Sequence, residues 1–181
     1  MAKKHYEFIF SGVGGQGTVT CGQLLGAAAS IYDNKFATMT SDYTAAARGE
    51  FAKSDVLIGE EFVAYFEALN PDVILVLHNR AYPRIKNRIS EDTIVVINTD
   101  DVTEYDKNLG KVYEFPISQM AYEIGSIQTS NVLAVAFIVK KTGIVKDESL
   151  IAAVKKQWPK EKAIELNMKA IEKGFELAKA N

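Results

Sequence analysis

The candidate chemistry of this chain begins at residues 11–20, SGVGGQGTVT, where Gly12, Gly14 and Gly17 fit a GxGxxG spacing between an apolar run and a helical pattern. That placement predicts a phosphate-binding turn. The first glycine would permit a tight turn, the second a close backbone approach to a phosphate, and the third close helix packing. Free amides opening the next helix would face an anion docked there. The competing reading is a sharp, well-packed turn without a ligand.

Further candidates lie at the same predicted edge. Gln16 carries both a donor and an acceptor and could orient a ligand or tie down the turn. Asp42 closes the predicted second strand, where an acidic residue would hold an adenosine ribose, although a plain loop aspartate reads better. The long loop after it brings Tyr43, Thr44 and Arg48 to the glycine edge. The planar fork of Arg48 suits a phosphate or carboxylate, or else an ion pair with Glu50 or Asp42. His5 and His78 have no neighbouring nucleophile in sequence to activate. The lysines of KKQWPKEK, residues 155–162, read as a solvated surface. No GxSxG, GxxxxGK[ST], HExxH or paired-cysteine motif occurs, so a complete active site is not expected.

The elements that must position these residues follow from periodicity. Residues 6–11 read as a first strand and 18–32 as a helix. Strands follow at 36–41, 54–58, 73–77, 94–97 and 111–115. The runs VILVL and IVVI are continuously apolar, which predicts strands covered on both faces in a mainly parallel sheet. A crossover helix limited by Pro83 is expected within 79–89, and a short serine-capped helix at 118–124. Helices at 129–141, 147–154 and 163–178 complete the chain, the first of them buried. The expected fold is α/β and Rossmann-like, a sheet flanked by helices with a helical C-terminal segment.

At 181 residues the chain fits one domain, residues 1–181. Its 48% hydrophobic and 24% charged residues are ordinary for a globular domain, and a net charge of -2 carries no footprint for nucleic acid or an acidic membrane. A single cysteine, Cys21, can form neither an internal disulfide nor a cluster site. No signal-peptide or membrane-span pattern occurs, which predicts a cytoplasmic protein.

Four strings together resemble the gamma subunit, or gamma domain, of the 2-oxoacid:ferredoxin oxidoreductases. GVGGQG at 12–17 is similar to the family's opening turn, YTAAARGE at 43–50 to its arginine loop, and Thr129 to Asn131 to its asparagine-led helix. IELNMKAIEKGFELA is similar to the closing helix, with Asn167 and Gly174 matching. Glu50 stands where the family commonly has a second glycine, adding negative charge beside Arg48.

The resemblance implies a non-catalytic subunit of a hetero-oligomer with alpha, beta and ferredoxin-like delta partners. Thiamine diphosphate, magnesium and the iron-sulfur clusters would sit on those partners. This chain would help dock coenzyme A through Gly12, Gly14, Gly15, Gln16, Gly17 and Thr18, with Tyr43 and Arg48 as further binding residues, and would carry no metal. A stand-alone NAD(P)-binding oxidoreductase domain and a purely structural subunit are the alternatives.

Overall fold

A computed structural model describes residues 5–43, 49–63 and 65–181, the side chain of Tyr43 excepted. Six strands form one sheet: β1 (His5–Val13), β2 (Phe36–Tyr43), β3 (Phe51–Gly59), β4 (Val73–Val76), β5 (Ile94–Asn98) and β6 (Lys111–Phe115), in the order β2-β3-β1-β4-β5-β6. β1 pairs in parallel with β4, β4 with β5 and β5 with β6. β3 runs antiparallel to both β1 and β2, so five strands share one direction and β3 alone opposes them.

The sheet is therefore mainly parallel, as its continuous apolar runs require. The reversal at β3 has a local cause. β2 and β3 are consecutive and joined by a connection too short for a crossover helix, so they pair as a hairpin, Phe36 opposite Gly59 and Tyr43 opposite Ala52.

Alternation along the strands separates two cores. Phe8, Phe10, Val56, Ile58, Leu75 and Val96 face the layer of long helices, while Ile9, Ile74, Val76, Val95 and Ile97 face the opposite side. The helical layer comprises α1 (Thr18–Ala27), which continues as a π-helical turn over Ala28–Tyr32, together with α4 (Ser130–Thr142), α5 (Asp147–Gln157) and α6 (Glu161–Ala180). In α4 every residue from Val132 to Val139 is buried, so this helix is apolar all round and sits between sheet and outer helices. Gly143 ends it in the left-handed conformation, with its amide on Val139 O.

The other face is covered more lightly. The crossover between β4 and β5 is α2 (Tyr82–Ile85), four residues with Pro83 in its first turn, followed by a 3₁₀ turn over Lys86–Arg88. Proline can open a helix but not extend one backward, which keeps this crossover short. α3 (Ile117–Ile124), which packs with the long helices through Ile117 and also buries Ala121, starts one residue earlier than its sequence suggests. Its N-cap is Pro116 without a side-chain cap, because Ser118 lies inside the helix with its hydroxyl turned to Asp101 and Asn98.

Candidate functional site

The chain leaves β1 toward β2 on one side of the sheet and leaves β4 toward β5 on the other. The crevice beyond the carboxyl ends of these neighbouring strands is the topological switch point, where open α/β sheets bind ligands. A cavity of about 560 Å³ lies there. Gly15, Gln16, Gly17 and Thr20 line it from the glycine turn and the start of α1, and Leu77, Asn98, Asp101 and Ser118 line it at or just beyond the ends of β4 and β5 and from α3. Asn131 and Trp158 close its helical side.

The turn differs in detail from its sequence reading. Gly12 is not part of the turn; it belongs to β1, paired with Ala52, and a Cβ there would lie 2.7 Å from Gln16 Oε1. The left-handed residues are Gly15 (φ 102°) and Gly17 (φ 76°), which carry the reversal. Gly14 donates to Glu50 O at 2.8 Å and Gln16 N to Val13 O at 3.1 Å, so these two amides are occupied.

The donors left at the cavity's edge belong to the first turn of α1. Its earliest backbone bond beyond the cap is Cys21 N to Gly17 O, and no side chain caps it. The amides of Thr18, Val19 and Thr20 therefore have no acceptor among the described residues, as expected of a helix start. The positive end of α1 points to this corner.

Gln16 staples the turn to the sheet. Its Oε1 accepts from Val13 N at 3.0 Å, while its Nε2 donates to Leu77 O at 3.0 Å and lies 3.5 Å from Asp101 Oδ2. Asn98 Nδ2 also donates to Asp101 Oδ2, at 3.1 Å, and Asn98 Oδ1 accepts from Ile117 N. A polar floor thus ties the ends of β1, β4, β5 and α3 together.

One residue of the site carries no chemical signal in sequence. Asn131, at the start of α4, lies against Gly17, and its Oδ1 is buried without a hydrogen-bond partner among the described residues. A buried amide oxygen left unpaired costs on the order of 1–3 kcal/mol, so Asn131 is held at this wall at an energetic expense. The string Thr129 to Asn131 marked a helix start, but nothing local in it told that this helix would meet the glycine turn.

Other expected residues lie apart. Asp42 is an exposed residue of edge strand β2, opposite Lys53, and β3 separates that strand from β1. A dinucleotide site needs the second strand beside the first, so the inserted strand removes the geometry for a ribose carboxylate. Thr44 and Arg48 fall outside the described residues, as does the side chain of Tyr43. The end of their loop is nonetheless anchored at the site, since Glu50 O takes the Gly14 amide and Gly49 O accepts from Arg80 Nη1 at 2.9 Å.

His5 bonds Glu7 Oε1 and Tyr65, and His78 Nδ1 accepts the Arg80 amide. Neither lines the cavity. Cys21 is fully buried, and burial pushes its thiol up to about 12, so it stays a neutral, unreactive core group.

A Rossmann-like domain with an uncapped helix start at the edge of a switch-point cavity has the architecture of the doubly wound class. The chain belongs to the pyruvate ferredoxin/flavodoxin oxidoreductase family, whose pattern matches residues 7–177. It is 34% identical, over 98% of its length and 96% of the relative's, to 2-oxoglutarate synthase subunit KorC of Methanocaldococcus jannaschii.

Among solved structures it resembles the gamma subunit of a keto/oxoacid ferredoxin oxidoreductase from Geobacter sulfurreducens, with a TM-score of 0.88, 32% identity and 98% of each chain covered. It also shares its fold with part of the 2-oxoglutarate:ferredoxin oxidoreductase of Magnetococcus marinus, described with 2-oxoglutarate, coenzyme A and succinyl-CoA bound. There the TM-score is 0.87 at 24% identity, covering 99% of this chain and 32% of that one. Among the described residues no helix is long and apolar enough to cross a membrane.

Proposed function

We propose that this chain is the gamma subunit of a 2-oxoacid:ferredoxin oxidoreductase and that its glycine turn docks the diphosphate of coenzyme A. The carrying observation is the uncapped first turn of α1 at the edge of a 560 Å³ cavity. A diphosphate fits amides that have no other acceptor and the positive helix end behind them. Asn131, in the cavity wall, adds an amide whose Nδ2 can donate to the same phosphates. Glycine at 15 keeps the approach open, since a Cβ there would meet nothing within 4 Å.

The chain then contributes binding and orientation rather than reacting groups. Thiamine diphosphate on a partner subunit would supply the carbanion chemistry and iron-sulfur clusters on another would take the electrons, a division that fits one buried cysteine here. Phe62, Phe66 and Leu69, at 74%, 66% and 52% exposure, are among the exposed apolar side chains that assembly with other subunits would cover. The isolated chain is expected to be inactive and to work in the cytoplasm within a hetero-oligomer.

The test uses Thr20→Glu in the assembled enzyme. Thr20 occupies the first turn of α1 and lines the cavity, so a carboxylate there suits the helix end but opposes an incoming phosphate. The Michaelis constant for coenzyme A should rise about tenfold or more, which corresponds to about 1.4 kcal/mol, while that for the 2-oxo acid and the unfolding midpoint hold. An unchanged constant for coenzyme A removes the proposal.

A further inference from the structure

The same cavity extends to Trp158, an end that a docked diphosphate leaves unexplained. We infer that Trp158 is the stacking platform for the adenine of the carrier, its flanking lysines taking the ribose 3′-phosphate. The inference rests on the turn being the diphosphate site and adds the class of group bound at the other end.

Trp158 caps α5, packs in part against the helical core, and lines the cavity together with Ile127 and Gln128. It also borders a second hollow of about 60 Å³ beside Thr129 and Asn167. The indole is thus wedged between two hollows rather than enclosed. Among the described residues no ring stacks on it, no cation covers it and no acceptor takes its N–H. A flat aromatic wall in a cavity whose far end offers phosphate donors suits a base better than an aliphatic arm, because every base presents a π-face to a ring.

Charge points the same way. Lys155 and Lys156 close α5 and Lys160 caps α6; all three are exposed, and none is ion-paired among the described residues. The first two suit a helix C-terminus, but a cation at the start of α6 sits at the helix's positive end with Glu161 as its neighbouring countercharge. A phosphate bound beside Lys160, two residues from Trp158, would relieve that repulsion.

Adenosine 3′,5′-bisphosphate isolates this end of the carrier, since it lacks the thiol arm. In the assembled enzyme it should compete with coenzyme A. Trp158→Leu should raise its inhibition constant and the Michaelis constant for coenzyme A together, about tenfold. Trp158→Phe should keep most of both, and the constant for the 2-oxo acid should not move.

Trp158 is the single tryptophan of the chain, so emission from the full chain reports the contact directly. The bisphosphate should quench it and pantetheine should not. An unchanged inhibition constant in Trp158→Leu, or the absence of quenching by the bisphosphate, overturns the inference. If Thr20→Glu still weakens coenzyme A in that case, the diphosphate reading stands and the base lies elsewhere; if neither variant acts, both fall.

Discussion

Asn131 occupies the space that a side chain on Gly17 would need: a Cβ at Gly17 would lie 2.9 Å from Asn131 Cγ and closer still to its Nδ2. The starts of α1 and α4 thereby touch at the cavity wall, one through a left-handed glycine at its N-cap and the other through an amide with a buried oxygen, unpaired among the described residues. Sequence places these residues more than a hundred positions apart. Their contact makes this corner a two-helix construction rather than a loop alone.

Gly17→Ala should therefore fail for two separable reasons. The left-handed backbone costs a non-glycine residue on the order of 1–2 kcal/mol, and displacing Asn131 adds about 1–3 kcal/mol of overpacking. Asn131→Gly in the same chain relieves the second term but not the first. In urea unfolding the double variant should be less destabilised than the sum of the two single ones, whereas strict additivity would separate these residues energetically.

Legibility in the sequence followed the range of the forces involved. The strand-turn-helix at residues 5–27 could be read because its apolar run, glycines and helical spacing are local. β6 at Lys111–Phe115 lies where its pattern and Pro116 put it. The antiparallel seat of β3 was not legible, because the strands expected at 36–41 and 54–58 leave a gap long enough for a crossover, whereas β2 runs on to Tyr43 and β3 starts at Phe51 and only a hairpin connection remains. The GxGxxG match lies at the switch-point corner, but its glycines divide the work differently from the motif reading. Gly12 needs smallness inside a strand, packed against Gln16, while the reversal falls to Gly15 and Gly17. Asn131 and Trp158 reach the cavity only through the packing of α4 and of the α5–α6 junction, which no local spacing records.

Two helical glycines should respond with opposite signs. At Gly174 in α6 a Cβ would lie 2.6 Å from Leu133 O, 2.7 Å from Ala136 Cβ and 2.8 Å from Phe137 N, and two of these atoms are backbone that cannot swing aside. The helix propensity gained by alanine is about 1 kcal/mol, whereas overpacking costs about 1–3 kcal/mol. Gly174→Ala should therefore lower stability by up to about 2 kcal/mol, as the difference of those terms. At Gly26 in α1 nothing lies within 4 Å of the added atom, so Gly26→Ala should raise stability by about 0.5–1 kcal/mol. Thermal unfolding of both variants checks this, with shifts of about 2–4 °C per kcal/mol at this chain length.

Glu7 predicts how the lightly covered face answers to acid. Its side chain is buried in β1; Oε2 accepts the Asn70 amide at 2.7 Å and Oε1 lies 2.9 Å from His5 Nε2, fastening the segment before β4 to the sheet. Burial pushes the carboxyl up, but the amides of Asn70 and Leu69 and the His5 contact outweigh it and hold the group below its ordinary value. A carboxyl lowered on folding contributes stability that is present above the unfolded value, about pH 4.3, and lost as pH falls through the lower folded one. Asp55 runs the other way, because burial raises its carboxyl and acid relieves it, yet it is common to both proteins compared. Glu7→Gln should thus be less stable at neutral pH and lose less on acidification below about pH 4.3. Urea midpoints followed across that range decide the matter, since parallel acid slopes in the two proteins would mean that the Glu7 carboxylate does not fasten this segment.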